Sequence, residues 1–236
     1  MAFKIRAGVE TRDLRLDRIQ QFDKRSKAYP IRELVEAKGA VSPVTKSWAC
    51  RKFLDQGTEG ACVGFAWGHE LIANTVVVNV GNTFARESIY WEAQKIDEWG
   101  GGAYPGADPF YEGTSVLAGA KVIRKLGYIT EYRWAFGLED LVLAVGHQGP
   151  AVIGIPWYDG MFNVWGCGYV HVTGQVAGGH AILVKGVNVE KRNFTLHNSW
   201  GKSWGRNGKA KISWDDMDRL LGEGGEACIP VGRKSG

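Results

Sequence analysis

The feature that most constrains the fold of this chain is a change of period at Gly149-Pro150. Before it, apolar residues recur at helical spacing. The stretch from Cys62 to about Val80, CVGFAWGHELIANTVVVNV, sets Phe65, Leu71 with Ile72, and Val76 on one face, and its length favours helix over strand. Ser88 to Trp99, Ser115 to Leu126 and Leu138 to Gln148 read as further helices, with Gly127 following Leu126 in the manner of a C-cap. After the break come short β-rich runs, AVIGIPW, GYVHVTGQV, HAILVKGVNV, NFTLHNSW and GKAKISW, parted by Gly, Asn and Lys-Arg turns. Helices first and strands last predict an α+β fold. The expected division is an arm over residues 1–40, a mainly helical lobe over 41–140 and a mainly β lobe over 141–236.

The arm is charged, with one short helical stretch expected around Leu14 to Phe22. It holds 10 Lys+Arg against 6 Asp+Glu, so it carries the whole net charge of +4. Its acids and bases are interleaved, which fits a solvated arm, and no nucleic-acid partner is expected. The composition, 44% hydrophobic and 23% charged, excludes disordered and fibrous classes. Thirty-three glycines imply many tight turns and argue against a simple helical bundle. No apolar run approaches the ~18 residues that a bilayer requires. The opening MAFKIRAGVETRDLRLDR holds no apolar h-region. No membrane association is expected, and the expected location is the cytoplasm.

The four cysteines, Cys50, Cys62, Cys167 and Cys228, form no CxxC element, so neither a metal nor another cofactor is expected. Cys62 differs from the others in its setting. It follows the turn-rich DQGTEGA and opens the long apolar helix. A sulfur there faces unpaired backbone N–H groups and the positive end of the helix dipole, both of which favour thiolate. The thiolate is the reactive form.

Three segments then carry a resemblance. LDQGTEGACVGFA resembles the active-site signature of the papain-like cysteine peptidase family, GGHAILVKGVN its histidine strand, and LHNSWGKSWGRNGKAKIS its Asn-Ser-Trp-Gly segment. His180 and Asn198 follow Cys62 by 118 and 136 residues, near the family spacing of about 130–150. The resemblance covers roughly residues 42–230 and implies a two-lobe fold, a helical lobe carrying the Cys62 helix packed on an antiparallel β-barrel-like lobe. It implies Cys62 as nucleophile, His180 as its base, Asn198 orienting that base, and Gln56 with the Cys62 N–H holding the oxyanion. Trp200 is expected to shield the His–Asn bond and, with Gly113 and Thr114, to line the substrate site. His69 lies two turns down the same helix, His197 points to the opposite strand face, and His147 and His171 have no motif around them.

The expected activity is peptide-bond hydrolysis on a peptide or protein substrate. A Cys-dependent amidase, transpeptidase or acyltransferase, or a non-catalytic binding protein on the same scaffold, are the alternatives. Three departures from the family pattern stand out. Glu59 replaces the Cys usual three residues before the nucleophile, and Val63 replaces an aromatic residue. The leading 40 residues are shorter than the usual inhibitory pro-segment and lack its helical charge pattern. An arm lying across the cleft is the restraint that this chain could use instead.

Overall fold

The computed structural model describes residues 2–21, 23–39 and 42–235. The arm opens with two short paired strands, β1 (Phe3–Lys4) and β2 (Glu10–Thr11). Residues 12–21 then run without regular structure to a 3-10 turn at Lys24–Ala28, capped by the Asp23 carboxylate accepting from the Arg25 N–H. Helix α1 (Ile31–Ala37) closes the arm and buries Ile31 and Val35. The helix expected near Leu14 is therefore absent; Phe22, its last residue, lies outside the described residues, as do Ala40 and Val41 at the expected domain boundary. The reason lies in the backbone pairing. The Arg18 N–H donates to the Gly179 carbonyl at 3.1 Å and the Ile19 N–H to that of Thr114 at 2.8 Å, so the body takes the donors that a helix would use internally.

The body begins with β3 (Lys46–Ser47) and α2 (Cys62–Ile72). A π-helical stretch (Phe84–Trp91) runs into α3 (Glu92–Ile96), and α4 (Val116–Lys125) follows. Next come β4 (Glu131–Ala135), α5 (Leu138–His147), β5 (Ala151–Tyr158), β6 (Val176–Asn188), β7 (Asn193–His197), β8 (Lys209–Ser213), α6 (Trp214–Gly222) and β9 (Glu226–Val231). Helix α2 ends sooner than expected because the chain turns extended at Ala73 and enters the β-branched run from Thr75 to Val78. The second helical segment spans Phe84 to Ile96 instead of Ser88 to Trp99. Of GYVHVTGQV only Val176 belongs to a strand, and β4 and β9 were not foreseen.

The large sheet is antiparallel, in the order β4-β9-β5-β6-β7-β8, with β3 also on β6. Alternation along its strands feeds two cores. Ile182 and Val184 of β6, with Ile153 and Ile155 of β5, pack with residues of α5 and α6. Ala181 and Leu183, with Val152 and Cys228, pack instead with α2 and α4. The sheet thus lies between two apolar layers, and the start of α2 abuts β6. Among the described residues no helix is long and apolar enough to cross a membrane.

Candidate active site

Two glycine-rich segments bring the site together. The turn before α2 is set by the Asp55 carboxylate accepting from the Gly57 N–H at 2.9 Å, with Gly57 at φ +67°. On β6, Gly178 and Gly179 precede His180 and leave room for a second chain against the strand.

Cys62 is completely buried. Its thiol donates to Asp17 Oδ1 at 2.7 Å and its backbone N–H to the same oxygen at 3.1 Å. The sulfur also accepts from the N–H of Ala181, the residue after His180, at 3.2 Å. The His180 Nε2 lies 2.8 Å from Asn198 Oδ1, which also accepts from the Ser199 N–H at 2.9 Å. With Asn198 accepting, Nε2 carries the ring proton and Nδ1 presents its lone pair. That Nδ1 has no hydrogen-bond partner among the described residues. The thiol is turned to the arm and makes no hydrogen bond to the imidazole. Trp157 and Trp200 enclose the ring, with centroids 4.7 and 4.8 Å away.

Gln56 is held by the Ser199 hydroxyl, which donates to its Oε1 at 2.6 Å. Its Nε2 donates to the carbonyls of Glu59 at 2.8 Å and of Arg15 at 3.2 Å. Arm oxygens therefore sit on both the Gln56 amide and the Cys62 N–H. The Arg15 guanidinium covers Trp200 at 4.2 Å. On the far side, Gly113 has φ +112°, and a Cβ there would fall 2.8 Å from Ile19 Cδ1. Thr114 gives its carbonyl to the arm and its hydroxyl to Asp97 at 2.8 Å. The cap of α4 is Ser115, whose Oγ accepts from the Ala118 N–H at 3.0 Å. One loop thus caps a helix and pairs with an extended chain.

Electrostatics follow from the exclusion of water. Burial pushes the Asp17 carboxyl up to about 7, against the lowering effect of the Cys62 hydrogen bond. Burial and the neighbouring Asp17 charge raise the Cys62 thiol well above its ordinary value. Burial lowers His180 to about 4, although Asn198 opposes the shift. With the arm in place the pair is neutral thiol and neutral imidazole.

All the sequence-predicted residues border this cleft. The other histidines do not. His69 Nε2 accepts from the Leu54 N–H at 2.8 Å and packs against His197, which stacks on Phe53. His147 Nε2 is 2.8 Å from the Ser42 carbonyl, and His171 is exposed. Glu59 pairs with Arg86 at 2.6 Å, Val63 is core, and all four cysteines are free thiols. Among the described residues no three His, Cys, Asp or Glu side chains are grouped to hold a metal. Sequence reasoning missed Asp17, Arg15 and Ser199. Ser199 sat inside a quoted motif; Asp17 was one acid among six in the arm, with nothing local to mark it.

Comparisons with known proteins bear on the family and the fold. The model of the papain family cysteine proteases matches residues 49–220. The cathepsin B-like cysteine proteinase 6 of Caenorhabditis elegans is 33% identical over 84 residues, which cover 33% of this chain and 22% of that protein. A cathepsin B-like cysteine proteinase of Schistosoma japonicum is 40% identical over 62 residues, 25% of this chain and 18% of that one. The matched part thus spans about a fifth of the length of either relative. The crystal structure of xylellain, a cysteine protease from Xylella fastidiosa, superposes with a TM-score of 0.70 at 17% identity, covering 95% of this chain and 98% of that one. At that identity the likeness is one of fold, and it agrees with the α+β arrangement.

Proposed function

The chain belongs to the papain family of cysteine proteases, and from that premise we propose that it hydrolyses peptide bonds through an acyl-enzyme on Cys62. His180 Nδ1 takes the thiol proton, and the sulfur attacks the scissile carbonyl carbon. The carbonyl oxygen, now anionic, accepts from the Cys62 N–H and Gln56 Nε2. Collapse of this intermediate breaks the C–N bond, with His180 protonating the departing amine. Water, deprotonated by His180, then cleaves the thioester, releases the acid and restores the thiol. Asn198 keeps the ring in the tautomer that both steps need.

The observation that carries this reading is the occupation of the two amide donors. The Arg15 carbonyl on Gln56 and the Asp17 carboxyl on Cys62 are oxygens of the arm lying where a substrate oxygen would be stabilised. The same contacts make the arm-covered chain latent. Once the arm leaves, water relieves the burial that keeps the thiol protonated. The α2 dipole and the Ala181 N–H then favour the thiolate.

Digestion of a mixed peptide library by the full chain carrying Asp17→Ala, with and without Cys62→Ala, tests the reading. Cleavage is expected only with Cys62 present, alkylation mapped to Cys62 is expected over and above that of the exposed Cys167, and undiminished cleavage by the Cys62→Ala chain contradicts it. Gln56→Ala is expected to lower kcat by ~10²–10³, the usual loss for one oxyanion donor.

A further inference from the structure

Arg6 belongs to the arm by sequence and to the helical lobe by contact. Its side chain is completely buried, as is that of Asp97, to which Nη1 donates at 2.7 Å. Nη1 also donates to the Gly113 carbonyl at 3.1 Å, Nη2 to those of Gln94 at 3.1 Å and of Trp99, and Nε to that of Gly100 at 3.3 Å. Every N–H of the guanidinium is thus used, a set of donors that no other side chain offers. The Arg6 backbone N–H donates to the Glu112 carbonyl at 2.8 Å. A tight turn follows, with Ala7 and Gly8 both left-handed at φ +59° and +69° and β2 returning to pair with β1.

These acceptors lead into the edge of the cleft. Gly113 gives its carbonyl to Arg6 and to Gln94 Nε2 at 3.1 Å, and its N–H to the Tyr90 hydroxyl at 2.9 Å, so both its backbone groups are committed inside the lobe. The next carbonyl, of Thr114, accepts from Ile19 of the segment that lies across the cleft. The Thr114 hydroxyl donates to Asp97 Oδ2, the same oxygen that Arg6 holds. Burial raises the Asp97 carboxyl, and the Thr114 hydroxyl and Arg6 oppose the rise. Arg6, Asp97 and Thr114 therefore form one chain of contacts from the arm to the cleft edge.

Residues 12–21 are held differently. Arg15, Asp17 and Arg18 sit on the Gln56 amide, the Cys62 N–H and the Gly179 carbonyl, groups that a bound peptide would need. Arg6 touches none of them. Turnover requires the segment over the cleft to move aside and makes no such demand on Arg6, whose withdrawal would strand a buried carboxylate. The movable segment is tethered at its other end too, where α1 buries Ile31 and Val35 in the core.

Resting on the peptidase reading above, we propose that Arg6 is a positioning residue of the open enzyme: its hairpin stays docked when residues 12–21 swing out, and through Asp97 it fixes the Thr114 edge on which an extended substrate pairs.

The test compares the full chain carrying Asp17→Ala, the parent, with the same chain bearing Arg6→Ala or Arg6→Lys. Kinetics on a peptide long enough to span the cleft give kcat and KM separately, and alkylation mapped to Cys62 by a small reagent, which makes no use of the edge, reports the centre. Arg6→Ala is expected to raise KM ~10-fold, the worth of one or two backbone hydrogen bonds, with kcat and alkylation within about twofold of the parent. Arg6→Lys, which keeps the charge but has fewer donors, is expected to fall between. Limited proteolysis of the parent within residues 12–21, followed by native mass spectrometry, is expected to leave the N-terminal peptide bound to the body. Release of that peptide from the parent, or KM values in both variants equal to or below the parent's, overturns the inference while leaving the peptidase reading intact. So does a fall in kcat and alkylation together, the mark of a merely structural loss. A parent in which Cys62 is not alkylated and no peptide is cut overturns both. Should Arg6→Ala fail to fold, Arg6→Lys and the nicked parent decide by the same criteria.

Discussion

Asp17 accepts two hydrogen bonds from a single residue, Cys62, in a place that water does not reach. Its carboxyl titrates at about 7 there, against about 3.9 in a solvated arm. The docked arm therefore binds the Asp17 proton more tightly than the free arm does. By linkage, docking is strongest below about pH 4, weakens as pH rises towards 7, and then levels off. His180 contributes with the opposite sign, because its docked value near 4 lies below the ordinary imidazole value, so acid favours its exposure. The two are separated by comparing Asp17→Asn with the parent, in which the His180 contribution cancels. Limited proteolysis of the arm, corrected for the protease's own pH profile, is expected to accelerate more between pH 5 and pH 8 in the parent than in Asp17→Asn. Equal pH profiles for the two chains contradict the assignment. Cys62, His180, Asn198 and Gln56, the proposed catalytic set, stood out in the sequence because each sits in a short motif whose residue types that chemistry would dictate. Asp17 did not, because its meaning comes from a contact 45 residues away in sequence, to Cys62.

At the scale of elements, β6 is built to be approached. A Cβ on Gly179 would overlap the carbonyl oxygen of Arg18, and one on Gly178 would come within 2.9 Å of Leu16 Cβ and overlap the Thr11 hydroxyl. At Gly179 the obstructing atom is backbone, which cannot rotate aside. Gly179→Ala is therefore expected to lift the arm from the strand. Alkylation of Cys62 at pH 7 is expected to rise at least tenfold over the parent, with the sheet unaltered by circular dichroism. An unchanged alkylation rate would show that the arm does not depend on this contact. Periodicity located α2, α4 and α5 and the strands β5 to β8, since each buries a continuous face. It misjudged the C-terminal end of α2, and the helix expected around Leu14 to Phe22 is instead an irregular segment paired with the body. Strands β4 and β9 are no shorter than β7 and β8, but they pair with each other from segments far apart in the chain, which nothing local marks.

For the whole molecule, one sheet carries two cores, and the arm closes the cleft beside the junction of α2 with β6. The proposed latency belongs to that assembly and not to any single group. Burial under one segment pushes the thiol up and the imidazole down, and oxygens of the same segment occupy the amide donors. Residues 1–40 were read as a solvated arm with occlusion of the cleft as one option, and the sequence alone could not decide, since a charged segment looks the same whether it is bound or free. The most direct test of the account is acid-quenched intact-mass analysis of the full chain carrying Asp17→Ala during turnover of a peptide ester, followed by mapping of the adduct. An acyl group on Cys62, absent when Cys62 is Ala and sharply reduced when His180, which takes the thiol proton, is Ala, is the result expected. Peptide cleavage with no acylated Cys62, or with the acyl group on another residue, would contradict it.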